Sequence, residues 1–293
     1  MRTRAISGLL AAATALALAG CAPAAGEGSS LIQIVASTDV YGSIASAIGG
    51  DRVEVTSVIS DPSQDPHSFE ANARIRLALG RADLVIENGG GYDDFMTQLL
   101  RAGSDTTATV LDAVELSGLG GGNEHVWYDF GAMRKLGEAI ADALSDRDPA
   151  AASAYRANAA EFTGGLSSLE DRVAAAKAEH GGAGVAITEP VPLYLLEAMG
   201  LVNKTPDEFS EAIEEGTDAS PAALNETLEL FRSDAVALLV YNEQTTGPET
   251  QRVLDAAKAG GTPVVPVSET LPAGEDYLEW MSSNIDAIVA ALS

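Results

Sequence analysis

Histidine is scarce in this chain of 293 residues: three occur, and two of them stand among other polar side chains. His67 lies in Asp65-Pro66-His67-Ser68-Phe69-Glu70, and His125 in Glu124-His125-Val126-Trp127. In the second half, Glu189 directly follows the apolar run Gly184–Thr188, and Glu269 follows Pro263–Val267 after a single residue, Ser268. A neutral imidazole offers a ring nitrogen and a carboxylate one or two oxygens. Two of each, gathered in one place, would make a nitrogen/oxygen site suited to first-row divalent metals. Each residue also has a plainer role open to it. A loop histidine commonly caps a turn or faces water, and a glutamate after a strand commonly caps a helix. Glu243, in Tyr241-Asn242-Glu243-Gln244, also follows an apolar run and competes with Glu269 for the fourth place.

Short apolar runs alternate with longer helical patterns, which predicts an α/β fold of mainly parallel sheet flanked by helices. The expected strands are Leu31–Ser37, Val53–Ile59, Asp83–Asn88 and Thr109–Ala113, then Gly184–Thr188, Ala235–Tyr241 and Pro263–Val267. Helices are expected over Ala71–Gly80, Tyr92–Ala102, Phe130–Leu144 and Tyr277–Leu292. All four candidate ligands then leave the C-terminal ends of strands, the edge where open α/β sheets bind ligands. One segment breaks the alternation. From Asp148-Pro149, an N-cap followed by proline, an Ala-rich helical pattern runs to Glu179. It places Tyr155, Phe162, Leu166, Leu169 and Val173 at three- and four-residue spacings. Such a helix would be about 45 Å long, with Gly164-Gly165 as a point where it would bend. The expected organisation is therefore an N-terminal α/β lobe over residues 31–147, a single long rigid linker helix over 148–180, and a C-terminal α/β lobe over 181–293. His180 falls at the end of that helix, where the dipole favours an imidazole, and Trp127 and Trp280 read as packing anchors. Tyr194, Leu195 and Leu196 read as the buried face of the helix after Glu189.

The first residues speak to compartment. Arg2 and Arg4 precede the apolar stretch Leu9–Ala19, and Leu18-Ala19-Gly20-Cys21 closes it. This is the pattern of a secretory signal over residues 1–20, and its apolar part is too short to span a bilayer as a helix. Cys21 is the only cysteine. The last four residues resemble a bacterial lipobox, which implies that Cys21 is lipidated and anchors the protein to the outer face of the cell membrane. Residues 21–30, rich in Ala, Gly, Pro and Ser, read as a flexible tether. Net charge is -26, a surface that argues against nucleic acid and anionic lipid headgroups as partners and favours cations.

Several stretches together resemble the manganese/zinc receptor family of ABC importers, the cluster A-I substrate-binding lipoproteins. Gly50-Asp51-Arg52-Val53-Glu54-Val55 through Asp65-Pro66-His67-Ser68-Phe69-Glu70 is similar to its first ligand region. Ala82-Asp83-Leu84-Val85-Ile86-Glu87-Asn88-Gly89 resembles its next strand and turn. Glu124-His125-Val126-Trp127 resembles its second histidine motif, and Val264-Val265-Pro266-Val267-Ser268-Glu269-Thr270-Leu271-Pro272 its last ligand loop. The resemblance implies His67, His125, Glu189 and Glu269 as ligands, with Glu269 standing where the family usually has aspartate. It implies Mn2+, Zn2+ or Fe2+ as transported cargo, a permease and an ATPase of an importer as partners, and a monomer that is not an enzyme. Adhesion is a compatible side role. Asp129-Phe130 stands where the family often has aspartate-proline, a change of helix entry and not of ligation, and the stretch before His125, Ser117-Gly118-Leu119-Gly120-Gly121-Gly122-Asn123, lacks the histidine-rich loop common in zinc members. With Glu189 in place of a third imidazole, the pattern leans to manganese or ferrous iron. The competing expectations are an exported metallohydrolase, for which HExxH and G-x-S-x-G motifs are missing, and a siderophore, haem or corrinoid receptor. The latter would need aromatic or basic contacts that a chain of 5% aromatic residues supplies sparsely.

Overall fold

The computed structural model describes residues 31–61, 69, 72–102, 107–120 and 122–293. His67, Cys21, the leader and the tether lie outside them. Two four-stranded parallel sheets carry the fold, both wound in the same order. The first, β2-β1-β3-β4, is made of β1 (Ile32–Thr38), β2 (Val53–Ile59), β3 (Leu84–Glu87) and β4 (Thr109–Asp112). The second, β6-β5-β7-β8, is made of β5 (Gly184–Ile187), β6 (Val202–Asn203), β7 (Leu238–Asn242) and β8 (Val264–Val267). Parallel neighbours require crossovers, and helices supply them. These are α1 (Asp39–Gly49), α2 (Ala73–Leu79) and α3 (Asp94–Ala102) in the first half. In the second they are α7 (Leu193–Ala198), α8 (Asp207–Glu214), α9 (Pro221–Arg232) and α10 (Pro248–Gly260). With helices on both faces, the central strands β3 (LVIE) and β7 (LLVYN) are buried along their whole length. The winding reverses between β1 and β3 and between β5 and β7, which opens a crevice beyond the C-terminal ends of each pair.

Where the boundaries differ from expectation, backbone geometry gives the reason. The strand expected from Ala235 begins at Leu238, because Ala235 N–H still donates to Leu230 O of α9 and Asp234 takes a left-handed φ of 51°. β6 has two residues, too few to produce an alternating pattern. Beyond a short 3-10 turn, Pro149–Ala151, the long helix α6 (Ala152–His180) runs uninterrupted through Gly164 and Gly165. A Cβ at Gly165 would come within 2.4 Å of Leu278. The glycine thus serves the close approach of α11 (Tyr277–Leu292), and not a break.

One apolar cluster unites the two sheets. α6 contributes Tyr155, Ala159, Phe162, Leu166, Leu169, Val173 and Ala176, a stripe spaced by alternating fours and threes that stays on one face of the helix. The same cluster takes in Ile34 and Ile86 from the first sheet and Ile187 and Val240 from the second. Polar bonds add to it. Leu271 N–H donates to Asp39 Oδ1 (3.1 Å), Tyr277 N–H to Ser43 Oγ (3.1 Å), Tyr277 Oη to Trp127 O (2.7 Å) and Tyr128 Oη to Ser268 O (2.9 Å). Each crosses between the first and second halves of the chain, and all four tie residues 268–277 to the first half.

The first sheet carries a buried acid. Glu87, at the end of β3, accepts from Thr97 Oγ1 (3.2 Å). Burial, followed by the charge of Asp93, pushes its pKa from 4.5 up to about 7. A carboxyl whose folded pKa is raised contributes stability that is full below pH 4.5 and is lost as pH rises through about 7. Glu87→Gln should therefore unfold some 2–5 °C higher than wild type at pH 8, for an effect of roughly 1–3 kcal/mol. The gap should close by pH 4.5. Equal gaps at both pH values in thermal unfolding would remove burial of the charge as the cause.

Candidate metal centre

His125 is placed by the ends of β3 and β4. Asp112, the last residue of β4, caps the short helix α4 (Ala113–Ser117) by accepting from Glu115 N–H (2.8 Å). At the end of β3, Asn88 Nδ2 donates to Glu124 O (3.1 Å), tying down the segment that carries His125. Asn88 and Gly89 in turn donate their N–H groups to the Asp93 carboxylate (2.6 and 2.9 Å). Gly89 is required here: its φ is +76°, and a Cβ would lie 2.2 Å from Asp112 Oδ2. The imidazole is fully buried, with Trp127 (centroids 5.0 Å) and Tyr92 (5.9 Å) edge-on to it.

Asn123 sets its protonation. Asn123 Oδ1 lies 2.7 Å from His125 Nδ1 and accepts the His125 backbone N–H (3.1 Å), while Asn123 Nδ2 donates to Pro190 O (3.2 Å). With the amide oriented by its donation to Pro190, Nδ1 carries the hydrogen. Nε2 is thereby the ring nitrogen turned inward, toward acids that draw a proton or a metal ion to it, the arrangement by which an outer-shell partner orients a histidine. Asn123 O also accepts from Tyr194 Oη (2.8 Å), so the loop before His125 is held by the C-terminal lobe.

That nitrogen faces carboxylates. His125 Nε2 is 3.3 Å from Glu214 Oε1 and 4.0 Å from Glu269 Oε2. Glu269 leaves β8 on a loop held by the loop after β7. Gln244 Oε1 accepts Glu269 N–H and Thr270 N–H, and Asn242 Nδ2 donates to Glu269 Oε1 (2.8 Å). Glu189 leaves β5 just after Thr188, whose Oγ1 accepts Asn242 N–H (3.0 Å). Burial, then the charges of Glu214 and Glu269, push the Glu189 pKa from 4.5 up to about 8, against hydrogen bonds from Asn242 and Thr245. Burial opposes a charge on His125, but Glu214, Glu269 and Glu124 outweigh it and raise its pKa above 6.5. Acids and imidazole therefore share one electrostatic environment, and each carboxylate lowers the free energy of a cation placed among them.

Among the expected ligands, His125 and Glu269 lie within 4.0 Å of each other, and Glu189 is coupled to Glu269 through charge. His67 lies outside the described residues. Among those described, no three His, Asp or Glu side chains form a complete ligand group. Glu243 is exposed on the same loop that holds Glu269. His180 ends α6, and Trp127 and Trp280 are buried in the core. Tyr194 is half-buried beside the fully enclosed Leu195 and Leu196. The sequence alone gives no role to Asn123, Asn242, Gln244 or Glu214. Glu214 did leave a trace: it is a carboxylate in the last turn of α8, which carries no basic residue there, against the preference of a helix C-terminus for cations.

A family model described as zinc-uptake complex component A, periplasmic, matches residues 34–291. The manganese-binding lipoprotein MntA of Halalkalibacterium halodurans is 28% identical over 279 residues, covering 92% of this chain and 90% of MntA. Among solved structures, the SBP FpvC of Pseudomonas aeruginosa in complex with Mn2+ superposes with a TM-score of 0.75 at 25% identity, covering 89% of this chain and 98% of that one. The periplasmic zinc-binding protein TroA of Treponema pallidum has the same fold, with a TM-score of 0.73 at 20% identity over 89% of this chain and 98% of TroA. Among the described residues no helix is long and apolar enough to cross a membrane.

The role given to Asn123 can be measured. Asn123→Ala should weaken Mn2+ or Zn2+ binding about 10- to 100-fold, whereas Asn123→Asp, which keeps an acceptor for Nδ1, should stay within a few-fold of wild type. Chelator competition reads both, and an unchanged affinity in the alanine variant would remove Asn123 from the site.

Proposed function

The chain belongs to the family described as zinc-uptake complex component A, periplasmic, and from that premise we propose an exported, lipid-anchored receptor that captures a divalent transition metal between its lobes and delivers it to an ABC importer. The ligands in this reading are His67, His125, Glu189 and Glu269. The observation that carries it is the buried His125, with Nδ1 committed to Asn123 and Nε2 turned toward acidic side chains of the opposite lobe. Mn2+ and Zn2+ are the cargo we favour, with Fe2+ admitted by the same donors. Support comes from the manganese-binding name of MntA and the Mn2+ complex of FpvC. Glu269 is preferred to Glu243 because it is buried and faces the imidazole.

The metal is substrate here, and its capture needs little rearrangement. The lobes share one core and are tied to each other by polar bonds, so binding would draw in the Glu189 and Glu269 loops with a small tilt of the lobes. A permease and an ATPase would then read the occupied form. We read the protein as a monomeric receptor and not as a hydrolase, since four protein ligands would leave little room for the activated water and the base that a catalytic metal requires. The proposed anchor is lipidated Cys21, in line with the lipoprotein name of MntA.

Two experiments test these assignments. In chelator competition, His125→Ala, His67→Ala and Glu269→Ala should each lose at least about tenfold in metal affinity while Glu243→Ala matches wild type. Undiminished binding in the first three would sink the site, and loss in Glu243→Ala with Glu269→Ala silent would reassign the fourth ligand. Expressed in a bacterial host, wild type should fractionate with membranes and incorporate labelled fatty acid. Cys21→Ser should do neither; label in that variant would move the anchor elsewhere.

A further inference from the structure

α8 closes on carboxylates, Glu211 and Glu214 in its last turns and Glu215 immediately after. Glu214 is largely but not wholly buried. Its side chain is 11% exposed, and Oε1 approaches His125 Nε2 to 3.3 Å, nearer than Glu269 does. With Nδ1 against Asn123, Nε2 is the ring nitrogen paired with Glu214, and a cation taking the place of the proton drawn between them would meet both atoms. Two atoms each about 2.1 Å from one ion stand roughly 3.0 Å apart at a right angle and roughly 3.4 Å apart in a tetrahedron. The observed 3.3 Å falls between these values. Glu214 is also reachable from outside. It lines a cleft of about 600 Å³ together with Glu124, Glu197, Asp207, Glu211 and Glu215, and of these six it is the one that meets the imidazole ring nitrogen.

We propose that Glu214 is a fifth metal-ligating carboxylate, one that raises the oxygen content and coordination number of the site and so biases it toward Mn2+ over Zn2+. The inference rests on the metal site proposed above. Two imidazoles and two carboxylates form a four-donor set that satisfies Zn2+ in its preferred tetrahedron. A third carboxylate adds little for an ion already content with four donors. It adds more for Mn2+, which suits oxygen donors and octahedral geometry. Glu214 would then also be the first ligand a metal meets when it enters through the acidic cleft.

The test uses the mature chain as wild type, Glu214→Gln, Glu214→Asp and His125→Ala, with Mn2+ and Zn2+ each titrated alone against a competing chelator. Glu214→Gln keeps the side-chain shape, and its metal-free melting temperature serves as the folding control. Both affinities should fall with the lost charge, and the expected result is a Mn2+ loss at least about tenfold larger than the Zn2+ loss. Glu214→Asp, whose charge is kept but whose arm is shorter, should lie between Gln and wild type for Mn2+. A Mn2+-to-Zn2+ affinity ratio unchanged in Glu214→Gln overturns the proposal, whether both affinities persist or both fall together. His125→Ala separates the two levels. If it abolishes binding of both metals while the Gln ratio is unchanged, the fifth ligand alone is wrong. If it binds both as wild type does, the underlying site is wrong as well.

Discussion

The contact between Asn123 Oδ1 and His125 Nδ1 carries more of this structure than its 2.7 Å length suggests. It settles which ring nitrogen is turned inward, and it does so through a residue that is itself held from the opposite lobe. Asn123 Nδ2 reaches Pro190 O and Tyr194 Oη reaches Asn123 O. Pro190 is the neighbour of Glu189. The imidazole of one lobe and a carboxylate of the other are thus registered to each other through a single amide, before any ion is considered. A side chain that packed equally well but could not accept at Nδ1 would leave the ring able to present either tautomer.

Registration of this kind is possible because the scaffold does not yield. Burying acids together is unfavourable without a compensating cation, and Glu189, Glu214 and Glu269 all come from the C-terminal lobe, facing an imidazole that the other lobe must hold in place. Here α6 threads one apolar stripe through a core common to both sheets, while Tyr128, Tyr277 and Asp39 add polar bonds across the crevice. Packing of that extent can hold Glu189, with its pKa pushed to about 8, beside Glu214 and Glu269.

The legibility of the sequence follows the same division. Strands such as Val53–Ile59 and the C-terminal helix Tyr277–Leu292 were readable to the residue, because burial on one face or both imposes a period on the apolar side chains. The length of α6 was readable for the same reason, while the purpose of Gly165 was not, since it depends on Leu278 more than a hundred residues away. His125 and Glu269 could be singled out from residue type and their place after strands. Asn123, Asn242 and Gln244 could not, because their roles consist of hydrogen bonds to atoms distant in sequence. Glu214 lies between these cases. Its position at the wrong end of a helix was visible in the letters, but the imidazole that gives it meaning belongs to the other lobe.

The overall charge of -26 invites the idea that the whole surface gathers cations, yet screening limits that effect. At physiological ionic strength the Debye length is about 8 Å, so carboxylates on the far faces add little to the potential felt at the crevice. What remains is local: the acids lining the cleft and, behind them, Glu189 and Glu269, enclosed by low-dielectric walls that focus their field. Concentration of cations at the entrance would fall to the acids of the cleft and discrimination to the groups around His125 Nε2, with Glu214 belonging to both sets. Any divalent ion would be drawn by the cleft, and only the arrangement of nitrogen and oxygen around His125 Nε2 could tell one metal from another.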